Sequence, residues 1–223
     1  MLALCSTEER AKEAETVLGF LVFIGFGVAL ALWRRRLGSE DAARRAGAWG
    51  EARVARELRR LGRAVTVWND VHVRAGHRTS QIDHVVWTPQ GLILIETKHW
   101  AGRLHVVSPT EWVQNNGRSR RVMHSPEHQS YYHEEVMREV LRRRHGLAGT
   151  PIASIVVLTH PNSRVYGPAT LPCIRLRQLR RWLRRYTQPD PGIHMPAPEQ
   201  LAALWSGEES SAQANRNAEL IKS

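Results

Sequence analysis

The stretch Gln81-Ile82-Asp83-His84-Val85-Val86-Trp87-Thr88-Pro89-Gln90-Gly91-Leu92-Ile93-Leu94-Ile95-Glu96-Thr97-Lys98 decides how this chain folds. Two apolar runs flank Pro89-Gln90, with proline where a β-turn fixes a negative φ and glycine where the chain re-enters the ladder. The spacing predicts a tight hairpin in which Thr88 pairs with Gly91. That register sets Asp83 opposite Glu96 and Gln81 opposite Lys98. Side chains alternate along a strand, so all four share one face. Val85, Leu94, Trp87 and Leu92 continue that face, while Ile82, Val86, Ile93 and Ile95 form the other. A hairpin apolar on both faces belongs in the centre of a sheet, covered on both sides.

Opposed carboxylates repel, more strongly where the dielectric is low. A cation relieves the repulsion. Two hard oxygen donors with open positions suit Mg²⁺ or Mn²⁺, which retain waters and take further oxygens from phosphates. Lys98 then sits beside the bound water, where it can orient or help activate it, or hold a phosphate oxygen. The competing reading makes Glu96 and Lys98 a structural ion pair at the sheet end.

Further matches surround the hairpin: Gly50-Glu51, Trp68-Asn69-Asp70-Val71 and, beyond Lys98, Gly102. In this order and spacing, from about residue 45 to 160, the chain resembles the NERD (nuclease-related) domain. The resemblance implies membership of the PD-(D/E)xK nuclease superfamily and its restriction-endonuclease-like core. That is an α/β fold with a mixed central sheet flanked by helices. It also implies metal binding by Asp83 and Glu96, a further ligand in the Thr97 carbonyl, and Lys98 as the catalytic lysine. The superfamily's motif has proline before the aspartate; here Ile82 stands there.

Helical phase adds two residues. From about Glu40 to Leu61 the chain has a helical pattern closed by Gly62, and Glu51 falls on the stripe of Val54, Ala55 and Leu58. A carboxylate on an apolar stripe either reaches the polar end of the sheet as a third acidic group and metal ligand, or serves a cap or salt bridge. A second helix opens with Ser125 as N-cap and Pro126 at the first position and runs to about His145. Its stripe of Val136, Met137, Val140 and Leu141 leads back to Gln129. This position matches a glutamine of NERD-like sequences; Gln129 bonds substrate or the metal-bound water, or is a buried structural amide.

Cys5 and Cys173 read as free thiols, too few for a zinc site. His84 and His99 flank the site, with side chains expected on the opposite sheet face. His124, His128 and His133 show no metal-ligand spacing. The net charge is +11, and arginine clusters recur at Arg34 to Arg36, Arg118 to Arg121, Arg142 to Arg144 and Arg175 to Arg185. Such surfaces attract nucleic acid through counterion release, and anionic lipid as well. Trp112, Tyr131, Tyr132 and Trp182 are candidates for base stacking or for the core.

Val17 to Trp33 carries no charge. Its length is close to the shortest helix that spans a bilayer core. Acidic residues precede it and Arg34-Arg35-Arg36 follows, so positive-inside bias places the N-terminus outside and the rest in the cytoplasm. A cleaved signal peptide fits less well, because its charges would lie on the wrong side. The expected organisation is a short extracytoplasmic segment (1–16), a transmembrane helix (17–33), a basic linker (34–41), a nuclease-like domain (42–205) and a disordered tail (206–223). Within the domain the pattern predicts strands at Ala64–Val73, in the hairpin, near Arg103–Val107, around Glu111–Val122 and at Ile152–Thr159. Helices are expected at Leu176–Tyr186 and around Gln200–Trp205. The sequence points to a Mg²⁺-dependent (or Mn²⁺-dependent) nuclease tethered at the cell membrane, acting on DNA or RNA. The alternative is a non-catalytic nucleic-acid or partner-binding module in the same place. Oligomeric state is not legible from it.

Overall fold

A computed structural model describes residues 41–117 and 119–205 of the chain. The expected membrane helix at 17–33, its flanks and the tail after 205 lie outside the described residues. Among the described residues, no helix is long and apolar enough to cross a membrane. The chain divides into two units, Met1–Ala46 and Gly47–Ser223, and everything below concerns the second.

Helix α1, over residues 47–59 of this unit, precedes three antiparallel strands, β1 (Thr66–Ala75), β2 (Arg78–Thr88) and β3 (Gly91–Lys98). Next come β4 (Arg103–Val106), β5 (Glu111–Asn115), β6 (Arg120–His124), α2 (Pro126–Arg142) and β7 (Ile152–Leu158). The described part closes with β8 (Arg164–Tyr166), β9 (Cys173–Arg175), α3 (Leu179–Leu183) and α4 (residues 198–205). The main sheet has the order β1-β2-β3-β7-β9, and a second, four-stranded sheet has the order β6-β5-β4-β8. In the main sheet β3, β7 and β9 run parallel. It is the mixed sheet flanked by helices that the sequence implies.

The hairpin has the expected register: Thr88 pairs with Gly91, Val85 with Leu94 and His84 with Ile95. The Thr88 hydroxyl closes the turn, donating to the Gly91 carbonyl at 2.8 Å and accepting from the Gln90 amide at 3.2 Å. Gly91 is required because a Cβ there would lie 2.9 Å from the Pro151 carbonyl oxygen. That close approach lets Leu92 N–H bond Pro151 and starts the parallel pairing with β7.

Both hairpin faces are covered. On one, Val85, Leu92 and Leu94 pack with Val136, Met137, Val140 and Leu141 of α2 and with Leu201, Leu204 and Trp205 of α4; Ile82, expected on the opposite face with Val86, joins this cluster instead, beyond the break in the β1–β2 ladder at Asp70. On the other, Val86, Ile93 and Ile95 meet Val54 and Leu58 of α1 and Leu179 and Leu183 of α3. Burying side chains of this size removes about 1.5–3 kcal/mol of hydration cost each, which makes the hairpin the spine of the core.

Element bounds shift by a few residues from the sequence reading. The segment 176–186 is not one helix: it breaks into 3-10, α and 3-10 turns. The three-residue strands β8 and β9 carry too little pattern to be read locally; pairing with β4 and β7 creates them.

Candidate functional site

The ladder between β2 and β3 ends at His84 and Ile95. Beyond that point β2 stays with β1, pairing Ile82 with Val71 and Gln81 with His72, while β3 follows β7, pairing Glu96 with Val156 and Lys98 with Leu158. The strands part at the level of the two carboxylates. Gln81 therefore does not face Lys98 as the extrapolated register had it; its amide donates to Asp70 Oδ1 at 2.6 Å.

The Asp83 carboxylate occupies the gap, where Oδ2 accepts the Thr97 N–H at 2.7 Å. Burial, and then the negative charge of Glu96, push its pKa up to about 7. Glu96, only 2% exposed, ion-pairs through Oε1 with Lys98 Nζ at 2.5 Å. Its Oε2 accepts from His133 Nε2 at 3.1 Å. A carboxylate only accepts, so Nε2 carries a hydrogen, and the buried Ser80 hydroxyl holds Nδ1 at 2.5 Å. Lys98 also donates to Gln129 Oε1 at 2.9 Å. Its side chain keeps 20% of its surface open against 2% for Glu96, so the ammonium is the reachable end of the pair.

Glu51 lies close enough to be influenced by this cluster. Burial raises its pKa first, then the charges of Asp70 and Glu96, while Lys98 lowers it. The preceding Gly50 explains the approach of α1, since a Cβ there would fall 2.8 Å from Thr159 Oγ1 at the end of β7. Glycine is what allows the helix to sit this close and carry the next residue toward the sheet end. Thus Glu51, Asp83, Glu96, Lys98 and Gln129 come to one end of the sheet.

Three residues that the sequence reading named without giving them a place at the site belong to it. His133 is one helical turn beyond Gln129, on the same stripe; the phase that found the glutamine also marks the histidine. Asp70, at the level of Asp83 in β1, has a left-handed φ of 55° that breaks the ladder between Asn69 and Val71. Aspartate tolerates that conformation better than most residues, and it turns a further acid toward this end. Asn69 Oδ1 accepts from Nδ1 of the buried His84 at 2.7 Å. Burial lowers the His84 pKa to about 4, so the ring is neutral near pH 7. Its Nε2 and the Thr97 hydroxyl are buried without a partner.

A family model of the nuclease-related domain, NERD, matches residues 46–159. The chain belongs to the NERD family. No curated protein matches it. The matched span begins before Gly50 and ends at Thr159, so it contains every side chain of the NERD cluster, including His133 on α2. The match is consistent with the PD-(D/E)xK nuclease-like superfamily.

Glu127 and Trp112 are structural, while Tyr131 and Tyr132 stay exposed. Glu127 is buried and accepts from Thr170 N and Oγ1, from Leu171 N at 2.8 Å and from Trp112 Nε1 at 3.2 Å. It pins the start of α2 to the loop before β9. Trp112 is therefore core, not a stacking surface. Cys173 is a free thiol whose pKa burial, and then Glu127, push up to about 12, which makes it a poor nucleophile.

The donor set fits a hard divalent cation. Asp83 and Glu96 supply carboxylate oxygens, and Glu51 and Asp70 add negative charge near them. Among the described residues no three ligating side chains are already gathered as a metal cage. An Mg²⁺ site built from two carboxylates and solvent does not need one, because that ion keeps much of its water.

Proposed function

We propose that this NERD domain hydrolyses phosphodiester bonds of DNA or RNA with the help of Mg²⁺ or Mn²⁺, tethered by residues 17–33 to the cytoplasmic face of the cell membrane. The observation that carries the reading is the parting of β2 and β3 at Asp83 and Glu96. It leaves Asp83, whose pKa burial and the Glu96 charge raise, beside Glu96 and a lysine at one end of the sheet, within the span that matches a nuclease-related family. In a basic protein, a binding surface for phosphate has no use for repelling carboxylates; a metal-dependent hydrolase does.

Asp83 and Glu96 would hold the cation, with the Thr97 carbonyl as a further donor and Glu51 within reach of a second. When bound, the ion supplies positive charge to a phosphate gaining negative charge and lowers the pKa of water. Lys98 is the accessible cation of the site; it holds a phosphate oxygen or takes part in activating the attacking water. Gln129 fixes the ammonium, and His133 fixes the Glu96 carboxylate in one rotamer. The apolar walls on both sides of the hairpin limit solvent, so these charges act at reduced dielectric.

The test is cleavage of labelled DNA and RNA by the full-length chain in detergent with Mg²⁺, with Mn²⁺ and with chelator. The reading requires metal-dependent cleavage that Asp83→Ala, Glu96→Ala and Lys98→Ala each abolish; equal activity in all four proteins would refute it. A second reading, a non-catalytic module binding nucleic acid at the membrane, is favoured by the Glu96–Lys98 pair, which satisfies itself without a metal. Under it, binding survives both chelator and Lys98→Ala, and no cleavage occurs.

A further inference from the structure

The three parallel strands end side by side. Lys98 of β3 is in register with Leu158 of β7, and Leu158 with Arg175 of β9. Arg175 is therefore two strand spacings, about 10 Å, from Lys98 along the same row. The carboxyl ends of parallel strands are where open α/β sheets bind ligands. At this edge lies a cavity of about 610 Å³, walled by Arg53, Arg164, Arg175, Arg177 and Arg180 together with the turn after β7.

Glu57 is the one carboxylate in that wall, and it is engaged by Arg60 and, at 2.9 Å, by Arg180. Among the described residues, no carboxylate pairs with Arg53, Arg164, Arg175 or Arg177. Four guanidinium groups without a carboxylate partner around one cavity repel one another unless an anion enters, and their forked donors match the oxygens of a phosphate. A chain of rings adjoins them. His160, itself in the wall, stands 5.1 Å from His99, and His99 stands 5.0 Å from Trp49, which is 53% exposed and covered on one side by Arg53 at 4.6 Å. Guanidinium groups for phosphate beside rings for bases are what a nucleotide strand requires.

We infer that this arginine cavity binds the backbone phosphates of a single-stranded segment of nucleic acid, one to three nucleotides away from the phosphate held at Lys98. The inference rests on the nucleic-acid reading above and names the substrate form. It makes the cavity an affinity site: the strand is gripped by charge at Arg164 and Arg177, and its bases lie against Trp49 and His99. The metal-binding end of the sheet is not needed for the grip.

The experiment is fluorescence anisotropy of a labelled 20-nucleotide single strand with the full-length chain in zwitterionic detergent, in chelator, across a range of NaCl. The Arg164→Gln/Arg177→Gln double variant should bind about tenfold or more weakly, with a salt slope shallower by about 1.4, the value for two lost contacts on a single strand. Arg164→Lys/Arg177→Lys should keep the slope, and each single Gln variant should fall between; melting curves equal to wild type show that folding is intact. Unlabelled trinucleotide should compete better than glycerophosphoglycerol or inorganic phosphate. Unchanged affinity and slope in the Gln variants overturns the inference, as does equal competition by the lipid headgroup. Binding needs no cleavage, so a chain that grips through these arginines but never cuts sinks the nuclease reading alone. A chain that cuts while the Gln variants bind normally sinks the cavity alone.

Discussion

The Asp83 carboxylate accepts the backbone N–H of Thr97 at 2.7 Å, where the strands carrying the two residues cease to pair. A side chain thus replaces a ladder bond. The amide stays satisfied, and the gap opened between β2 and β3 is where the acidic residues collect. A regular hairpin would have zipped past Glu96 and closed this gap.

Lys98 holds Glu96 and Gln129 with one ammonium. Replacing it by alanine should reduce cleavage by at least about 100-fold, the usual scale for a lost proton-transfer group. Gln129→Ala, which frees the ammonium but keeps it, should cost about tenfold. Single-turnover rates at saturating metal separate the two; equal losses would mean that the amide itself contacts the reacting phosphate.

Asp83 gives a pH dependence with a defined sign. Its pKa is raised from 3.8 in the unfolded chain to about 7 in the fold, so between these values the native state binds the extra proton. Its contribution is fully present below the unfolded pKa and is lost as pH rises through 7. Between pH 5 and pH 8 this amounts to about 3 kcal/mol. Urea unfolding of wild type and Asp83→Asn should show the wild type falling relative to the variant over this range. Added Mg²⁺ at pH 8 should recover part of the loss in wild type alone; parallel curves without such recovery would place Asp83 outside the site.

His133 joins Ser80 to Glu96 inside the core. His133→Ala strands both partners and should destabilise the fold by about 2 kcal/mol. His133→Gln, which still donates to the carboxylate, should lose less and recover most of the cleavage rate. Denaturant midpoints and cleavage rates read together distinguish positioning of Glu96 from packing, since packing alone predicts that the two variants cleave equally.

Glu127 satisfies four donors where the start of α2 meets the loop before β9. Glu127→Ala should cost about 3 kcal/mol of stability. Below the lowered melting temperature its metal-dependent cleavage should stay within a few-fold of wild type. A large rate loss at full folding would give this carboxylate a place in the chemistry.

Residues 17–33 should hold the chain in the membrane fraction through carbonate extraction. A chain lacking them should appear in the supernatant with the same cleavage rate. Retention of the shortened chain would assign the anchor elsewhere.

How much could be read in advance varies with how local the cause is. The hairpin was legible because Pro89, Gly91 and the two-face apolar alternation act over a few residues, and they fix the register from Thr88–Gly91 to His84–Ile95. Glu51 and Gln129 were legible from helical phase, and His133 follows from the same phase, although a search of the histidines for metal-ligand spacing passes over it. Asp70 was hidden because its role depends on a left-handed φ inside a strand, which no period reveals. β8 and β9 were hidden because three residues carry no period at all; partners far along the chain hold them in place.

The sequence by itself determined the hairpin, its burial on both faces, the identity of the acids and lysine, and the family to which they belong, because turn chemistry and alternation are written into neighbouring residues. Only the tertiary structure decided where the hairpin stops. β3 follows the parallel strand β7 while β2 remains with β1, and that competition between partners distant in sequence opens the ladder at Asp83. It lines up Lys98, Leu158 and Arg175 at one edge and gathers the arginines beside them. Strand alternation sets the face of a side chain only while the ladder runs unbroken, as Ile82 shows by joining Val85 on one face; which strands remain neighbours is set by packing across the whole domain.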